Sequence, residues 1–318
     1  MLQKIHKLPF SPPPGFASPH AQTAIACFFP TGTPPPSLTH VIPLKDGDAL
    51  CGEVSTPPQW QPHHRTVVLI HGLGGSHESS YMVRLSRKFY DRGLRVIRLN
   101  MRCCGSGFAY ASRPYHGGSS EDLHEVLISL KERNPDSPIT IVGFSLGGNI
   151  ALKLGGELGD SGKHLIDLTV AICPPIDLAQ TATILAQPHF KFYNHYYLHH
   201  LAMQTKPWSQ NITFSSIFEF DTHITAPIWN FKDPNDYYVK SSSRQFLPLI
   251  KHRCRIIFAI DDPFIDPHPC LDDDHPESLS FWLSDHGGHM GFFGWSDKEH
   301  RYYWLDGLLC KWIFDEQQ

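Results

Sequence analysis

The chain has 318 residues, 41% of them hydrophobic and 18% charged, with a formal net charge of −4 and a pI near 6.6. That length and apolar content suit one large α/β domain with an insertion. The lack of a basic excess or a Lys/Arg block excludes a surface that tracks phosphates, so no nucleic-acid partner is expected. Prolines interrupt MLQKIHKLPFSPPPGF before any apolar run of signal-peptide length, and no later run approaches the ~20 apolar residues of a membrane-spanning helix. A soluble, cytoplasmic protein without an integral membrane segment is the expectation.

In chain order, residues 1–36 are rich in proline and turn formers and read as an arm laid across a core, with SPHAQTAIACFF as a short amphipathic piece. HVIPL (40–44) and ALCGEVS (49–55) are two antiparallel strands turned at Asp46-Gly47-Asp48. Then the rhythm changes. RTVVLIHGLGG is a buried strand ending in a glycine-rich loop, ESSYMVRLSRKFYDRG a helix closed by Gly93, and LRVIRLN the next strand. SSEDLHEVLISLKERN is a helix begun by a serine cap, and it leads into the strand ITIVGF. Strands alternating with helices predict a parallel sheet covered on both faces. LTVAICPP is a further buried strand, after which the alternation stops over residues 176–225, where aromatic and apolar residues from Phe190 to Trp208 fall at roughly helical spacing. Either a lid over an apolar pocket or an ordinary packed helical insertion accounts for that stripe. The sheet resumes with CRIIFAI (254–260) and SLSFWLS (278–284), and the chain closes on a helix around HRYYWLDGLLCKWIF. The core is thus expected over 37–175 and 226–318.

The segment ITIVGFSLGGNIALKLGGEL (139–158) joins a β-branched run to Gly-x-Ser-x-Gly and then to helical periodicity, the setting of a nucleophile elbow. Gly143 and Gly147 remove side chains that would clash at so tight a turn, leaving Ser145 as the candidate nucleophile. A serine hydroxyl needs a histidine to take its proton and a carboxylate to orient that histidine. RIIFAIDDPF and SFWLSDHGGHMGFFG supply acid and then histidine past two successive late strands. Asp262, beside the proline and further out of the strand end, is chosen over Asp261 as the acid. Asp233, in PIWNFKDP, has no histidine-bearing strand end directly after it. His289 is chosen over His286 as the base, because Gly287 and Gly288 give it a flexible backbone on which to reach the serine. Two N–H donors must hold the oxyanion, each worth about 3 kcal/mol. The N–H of Leu146 and that of Leu73, in His71-Gly72-Leu73-Gly74-Gly75, are the candidates. That glycine-rich loop lacks the Gly-Lys-Ser/Thr of a phosphate cradle, and no dinucleotide fingerprint follows the strand. No cofactor is expected. The eight cysteines are scattered and read as reduced thiols, the adjacent Cys103 and Cys104 as packing beside a turn. His195 and His199 share a helical face without the intervening glutamate of a zinc protease, so no metal is assigned.

Beyond these readings, the motifs SPHAQT, HGLGGS, RCCGSG, YHGG with EDL, GFSLGGN, FDTHITAP, KDPNDYY, AIDDPF and DHGGHMGFFG resemble those of the YheT-like group of α/β-hydrolases, AB hydrolase family 4, over nearly the whole chain. The resemblance implies the α/β-hydrolase fold, a mostly parallel eight-stranded sheet with helices on both faces and a helical lid insertion. It also implies Ser145 as nucleophile, Asp262 as acid and His289 as base, with small-molecule acyl esters as substrates. The chain departs from the family pattern at Cys103 and Asn230, where glycine is expected. A serine carboxylesterase is the resulting expectation. An acyltransferase to an alcohol with the same triad, and a lipid-binding protein that keeps the fold without turnover, are the alternatives.

Overall fold

The computed structural model describes residues 5–28, 32–209, 212–296 and 302–315. Its strands are β1 (Ile5–Lys7), β2 (Leu38–Pro43), β3 (Ala49–Ser55), β4 (Thr66–Ile70), β5 (Arg95–Asn100), β6 (Ile139–Phe144), β7 (Leu168–Ile172), β8 (Arg253–Ala259) and β9 (Leu279–Ser284). They form one sheet in the order β1-β9-β8-β7-β6-β4-β5-β3-β2. Only the β2–β3 and β3–β5 pairings are antiparallel; the rest are parallel. The helices α1 (Pro19–Phe28), α2 (Ser80–Asp91), α3 (Ser120–Arg133) and α4 (Leu146–Leu158) lie between strands, and Trp304–Asp315 closes the chain.

The strand period explains the two-faced core. Along β4, Val68 and Ile70 pack with Leu123, Leu127, Ile150 and Leu154 of α3 and α4, while Val67 and Leu69 pack with Met82, Leu85 and Phe89 of α2 and with Leu309 of the last helix. Burial on both faces is why these strands read as unbroken apolar runs. The chain leaves β4 toward β5 on one side and then returns to β6 on the other. The carboxyl ends of β4 and β6 therefore flank the switch point where sheets of this kind bind ligands.

Three features differ from expectation. The sheet has nine strands among the described residues, not eight, because the arm contributes β1. Ile5–Lys7 pair with Phe281–Leu283 of β9, Leu8 N–H donates to the Leu283 carbonyl at 2.7 Å, and the His6 ring stacks on Trp282 at 4.2 Å. An edge that would otherwise present unpaired amides is covered. Next, Ser119 stands at the start of α3 but makes no side-chain cap; its Oγ instead accepts the His116 N–H at 3.0 Å. The two departures from glycine are accommodated at a strained backbone, Cys103 at φ 59° and Asn230 at φ 56°, in the left-handed region that glycine occupies without penalty.

Between β7 and β8 the chain is helical, with Leu178–Leu185, Lys191–Gln204, a short run from Ile217 to Ile228 and Pro234–Ser241. Leu198 and Leu201 turn inward with Phe214, Ile217 and Phe220, while Phe192 and Met203 are exposed. The aromatic stripe is therefore divided between packing and solvent. His195 and His199 are exposed, and no described group of potential metal ligands includes them.

Candidate active site

Ser145 sits between the last residue of β6 and the first of α4, at φ 48° and ψ −119°. A Cβ on Gly143 would lie 2.5 Å from the Gly147 carbonyl oxygen, and one on Gly147 would lie 2.6 Å from those of Ile70 and His71. Both positions are thus closed to any side chain. The strained turn is held by the Ser145 N–H donating to the Ile172 carbonyl at 2.9 Å, and by the Ser145 carbonyl accepting from Gly148 at 2.8 Å and Asn149 at 3.1 Å.

His289 Nε2 lies 2.9 Å from Ser145 Oγ, and its Nδ1 lies 2.8 Å from an Asp262 carboxylate oxygen. The other Asp262 oxygen accepts the N–H groups of Phe264 at 2.8 Å and Ile265 at 3.2 Å. An acceptor at Nδ1 places the imidazole proton there and leaves Nε2 free to accept from the serine. The rivals weighed in the sequence lie elsewhere. Asp261 accepts the Gly288 N–H at 2.9 Å and stands 3.3 Å from His286 Nδ1, and Asp233 caps the helix Pro234–Ser241 by accepting from Asp236.

The histidine loop is clamped rather than flexible. The His289 N–H donates to Thr23 Oγ1 at 2.9 Å, and the buried Gln22 amide both accepts from Phe293 N–H at 2.7 Å and donates to its carbonyl at 3.0 Å. Gly288, at φ 54°, lets α1 approach so closely that a Cβ there would meet the Pro19 carbonyl at 2.3 Å. These α1 residues fall within SPHAQT, a motif whose polar, short-range pattern did not reveal its target.

The loop after β4 is fixed one amide at a time. The Gly72 N–H donates to the Tyr81 hydroxyl at 2.9 Å and the Gly74 N–H to the Tyr115 hydroxyl at 3.1 Å. His71 accepts from Met101 N–H at Nε2 and bonds the Gly72 carbonyl through Nδ1. Burial pushes its pKa down to about 4, so it is neutral. Between the two occupied amides, the Leu73 N–H meets no protein acceptor among the described residues, nor does that of Leu146 at the start of α4. Two unspent donors thus flank Ser145.

Beneath the histidine and acid lies Cys173, at φ 46°, its Sγ within 4.8 Å of the ligand atoms of Asp262 and His289. Burial, with the Asp262 carboxylate beside it, raises this thiol well above the usual range and keeps it protonated. The other cysteines with described side chains are buried and free of disulfides; burial pushes the Cys103 thiol up to about 11. The Cys27 side chain lies outside the described residues.

Ser145 and His289 open into a cavity walled by Leu73, Leu146, Leu178, Leu201 and Phe264 among others. On its other side Ser145 borders a more open groove along Gly72–Ser76, roofed by Tyr196 and His200 of the helix Lys191–Gln204. The Gln204 amide donates to the Gly75 carbonyl at 3.1 Å, so that helix rests directly on the glycine loop.

Fold and site together describe an α/β-hydrolase, and the model of the α/β-hydrolase fold matches residues 65–216. The YheT protein of Escherichia coli strain K12, named as a candidate esterase, is 30% identical over 96% of this chain and 92% of its own. This chain belongs to the YheT-like family of α/β-hydrolases. It is also similar to the monoacylglycerol lipase of Saccharomyces cerevisiae, 26% identical over 78% of this chain and 58% of that one. Mouse phospholipase ABHD3 is 24% identical over 71% of this chain and 58% of its own. Among solved structures, 2,6-dihydroxy-pseudo-oxynicotine hydrolase superposes with a TM-score of 0.62 at 18% identity, over 88% of this chain and 68% of that one. A Pyrococcus furiosus esterase gives 0.59 at 16% identity over 98% of both chains. At such identities these two show the fold alone. No described helix is long and apolar enough to cross a membrane.

Proposed function

We propose that this protein is a serine carboxylesterase. The observation that carries the reading is the unbroken chain from Ser145 Oγ through His289 to Asp262, at 2.9 and 2.8 Å. Ser145 Oγ attacks the acyl carbonyl while His289 Nε2 takes its proton, and Asp262 holds the ring and stabilises the imidazolium. The oxyanion is received by the N–H groups of Leu73 and Leu146. The proton passes from His289 to the departing alcohol, water then attacks the acyl-enzyme with the same base, and the acid leaves.

Residues 176–225 serve as the lid: the helix over the glycine loop lies between the cavity and the more open groove, so that one arm of the ester enters each. The esterase and lipase names among the relatives favour acyl esters, short- to medium-chain or lipid-like. Seven buried thiols free of disulfides favour a reducing, cytoplasmic setting. The test is hydrolysis of an ester chain-length panel with and without added alcohol. Free acid as the main product supports the esterase; a new ester in place of acid would assign acyl transfer, and no turnover by folded protein would overturn the reading.

A further inference from the structure

One buried ionisable group in the cavity has no part in the triad. Asp221, in the motif FDTHITAP, is 5% exposed and lines the same cavity as Ser145 and His289. One carboxylate oxygen accepts from Thr225 Oγ1 at 2.6 Å and the other from the Tyr238 hydroxyl at 2.7 Å. Each oxygen retains a second lone pair. No lysine or arginine lines the cavity among the described residues, and Asp221 is its one carboxylate. The lining histidine His116 is held neutral, burial pushing its pKa down to about 3. Burial likewise pushes the Asp221 carboxyl up to about 6, and its hydrogen-bonding hydroxyls only partly offset that cost. Among the described residues that line the cavity, the carboxylate thus carries a buried charge with no countercharge, an arrangement proteins rarely keep without a partner. Tyr237, Tyr238 and Phe220 line the cavity beside it, and aromatic rings next to an acid suit an alkylated cation.

Resting on the esterase reading above, we propose that the arm of the ester entering this cavity carries an ammonium group, which Asp221 holds while Ser145 attacks the carbonyl. An apolar wall, aromatic rings and a lone carboxylate recognise an amine-bearing or quaternary ammonium ester. A neutral arm of the same shape would leave the carboxylate unpaired.

The test uses isosteric ester pairs with the full-length protein: butyrylcholine against 3,3-dimethylbutyl butyrate for the alcohol arm, and ethyl 4-trimethylammoniobutyrate against ethyl 5,5-dimethylhexanoate for the acyl arm. The charged member of at least one pair is expected to show a kcat/KM about tenfold higher or more, and Asp221→Asn is expected to collapse that ratio toward one. In parallel, tetrabutylammonium should slow fluorophosphonate labelling of the wild-type serine more than its neutral isostere 5,5-dibutylnonane does, a comparison that needs no variant. Hydrolysis of the neutral esters as fast as or faster than the charged ones, or equal ratios in wild type and a folded Asp221→Asn, would overturn the proposal and leave the esterase standing. Failure of the wild type to hydrolyse any of the four esters would overturn both.

Discussion

The left-handed backbone at Ser145 is sustained by glycines on either side, by its N–H donating to the Ile172 carbonyl and by its carbonyl accepting from Gly148 and Asn149, so its hydroxyl stands at the open end of the sheet at a cost borne by the surrounding fold. The partner residue depends on a contact of a different kind, one hydroxyl from the arm. Thr23 Oγ1 accepts the N–H of His289 and donates to the Pro19 carbonyl at 2.7 Å. Thr23→Val leaves that buried N–H unsatisfied, a loss of about 1–3 kcal/mol on the loop that carries the base. We expect kcat for a reporter ester to fall about tenfold with KM little changed, and Thr23→Ser to restore it. Wild-type kcat in Thr23→Val would show that the loop holds His289 without α1.

At the scale of elements, α1 and the loop Gly287–Phe293 behave as one unit because glycine permits their contact. Gly288→Ala places a Cβ 2.3 Å from the Pro19 carbonyl and at φ 54°, so α1 or the loop must move. Displacements near 1 Å at a reacting group cost about a hundredfold, and we expect such a loss of turnover with an unchanged far-UV circular dichroism spectrum. Retained activity would mean that the contact is incidental. The same unit marks where the sequence stopped being legible. The βα alternation from Thr66 to Ile172 could be read locally, because the strands are short and rich in β-branched and apolar residues and each following helix repeats on its own period. That Ser145, Asp262 and His289 meet was legible for the same reason, each following a strand end. The work of Gln22 and Thr23 was not, since their partners Phe293 and His289 lie 271 and 266 residues away. Nor was β1, three exposed residues whose only signal is the edge they join.

At the scale of the whole molecule, His71 and His252 are buried and His116 is partly buried among the described residues outside the triad, and all three are held neutral. Burial pushes His71 down to about 4, His116 to about 3 and His252 to about 4. Their folded values lie below the ordinary 6.5, so as pH falls below about 6.5 the unfolded chain binds protons that the folded one cannot. The stability they confer is full above that pH and is lost progressively toward pH 4. Asp221, raised to about 6, runs the other way, since its protonation between about 6 and 4 favours the folded state. Three groups outweigh one, and we expect unfolding free energy from denaturant titration to be lower at pH 5 than at pH 7 by several kcal/mol. An equal midpoint at both values would mean that the histidines titrate freely in the folded protein.

The most direct test of the site is intact mass after treatment with a fluorophosphonate probe, for the wild type and for Ser145→Ala. The account predicts a single adduct on the wild type and none on a variant whose unfolding midpoint is unchanged. An adduct that persists in Ser145→Ala, or no adduct on folded wild type, would contradict an activated serine at this turn.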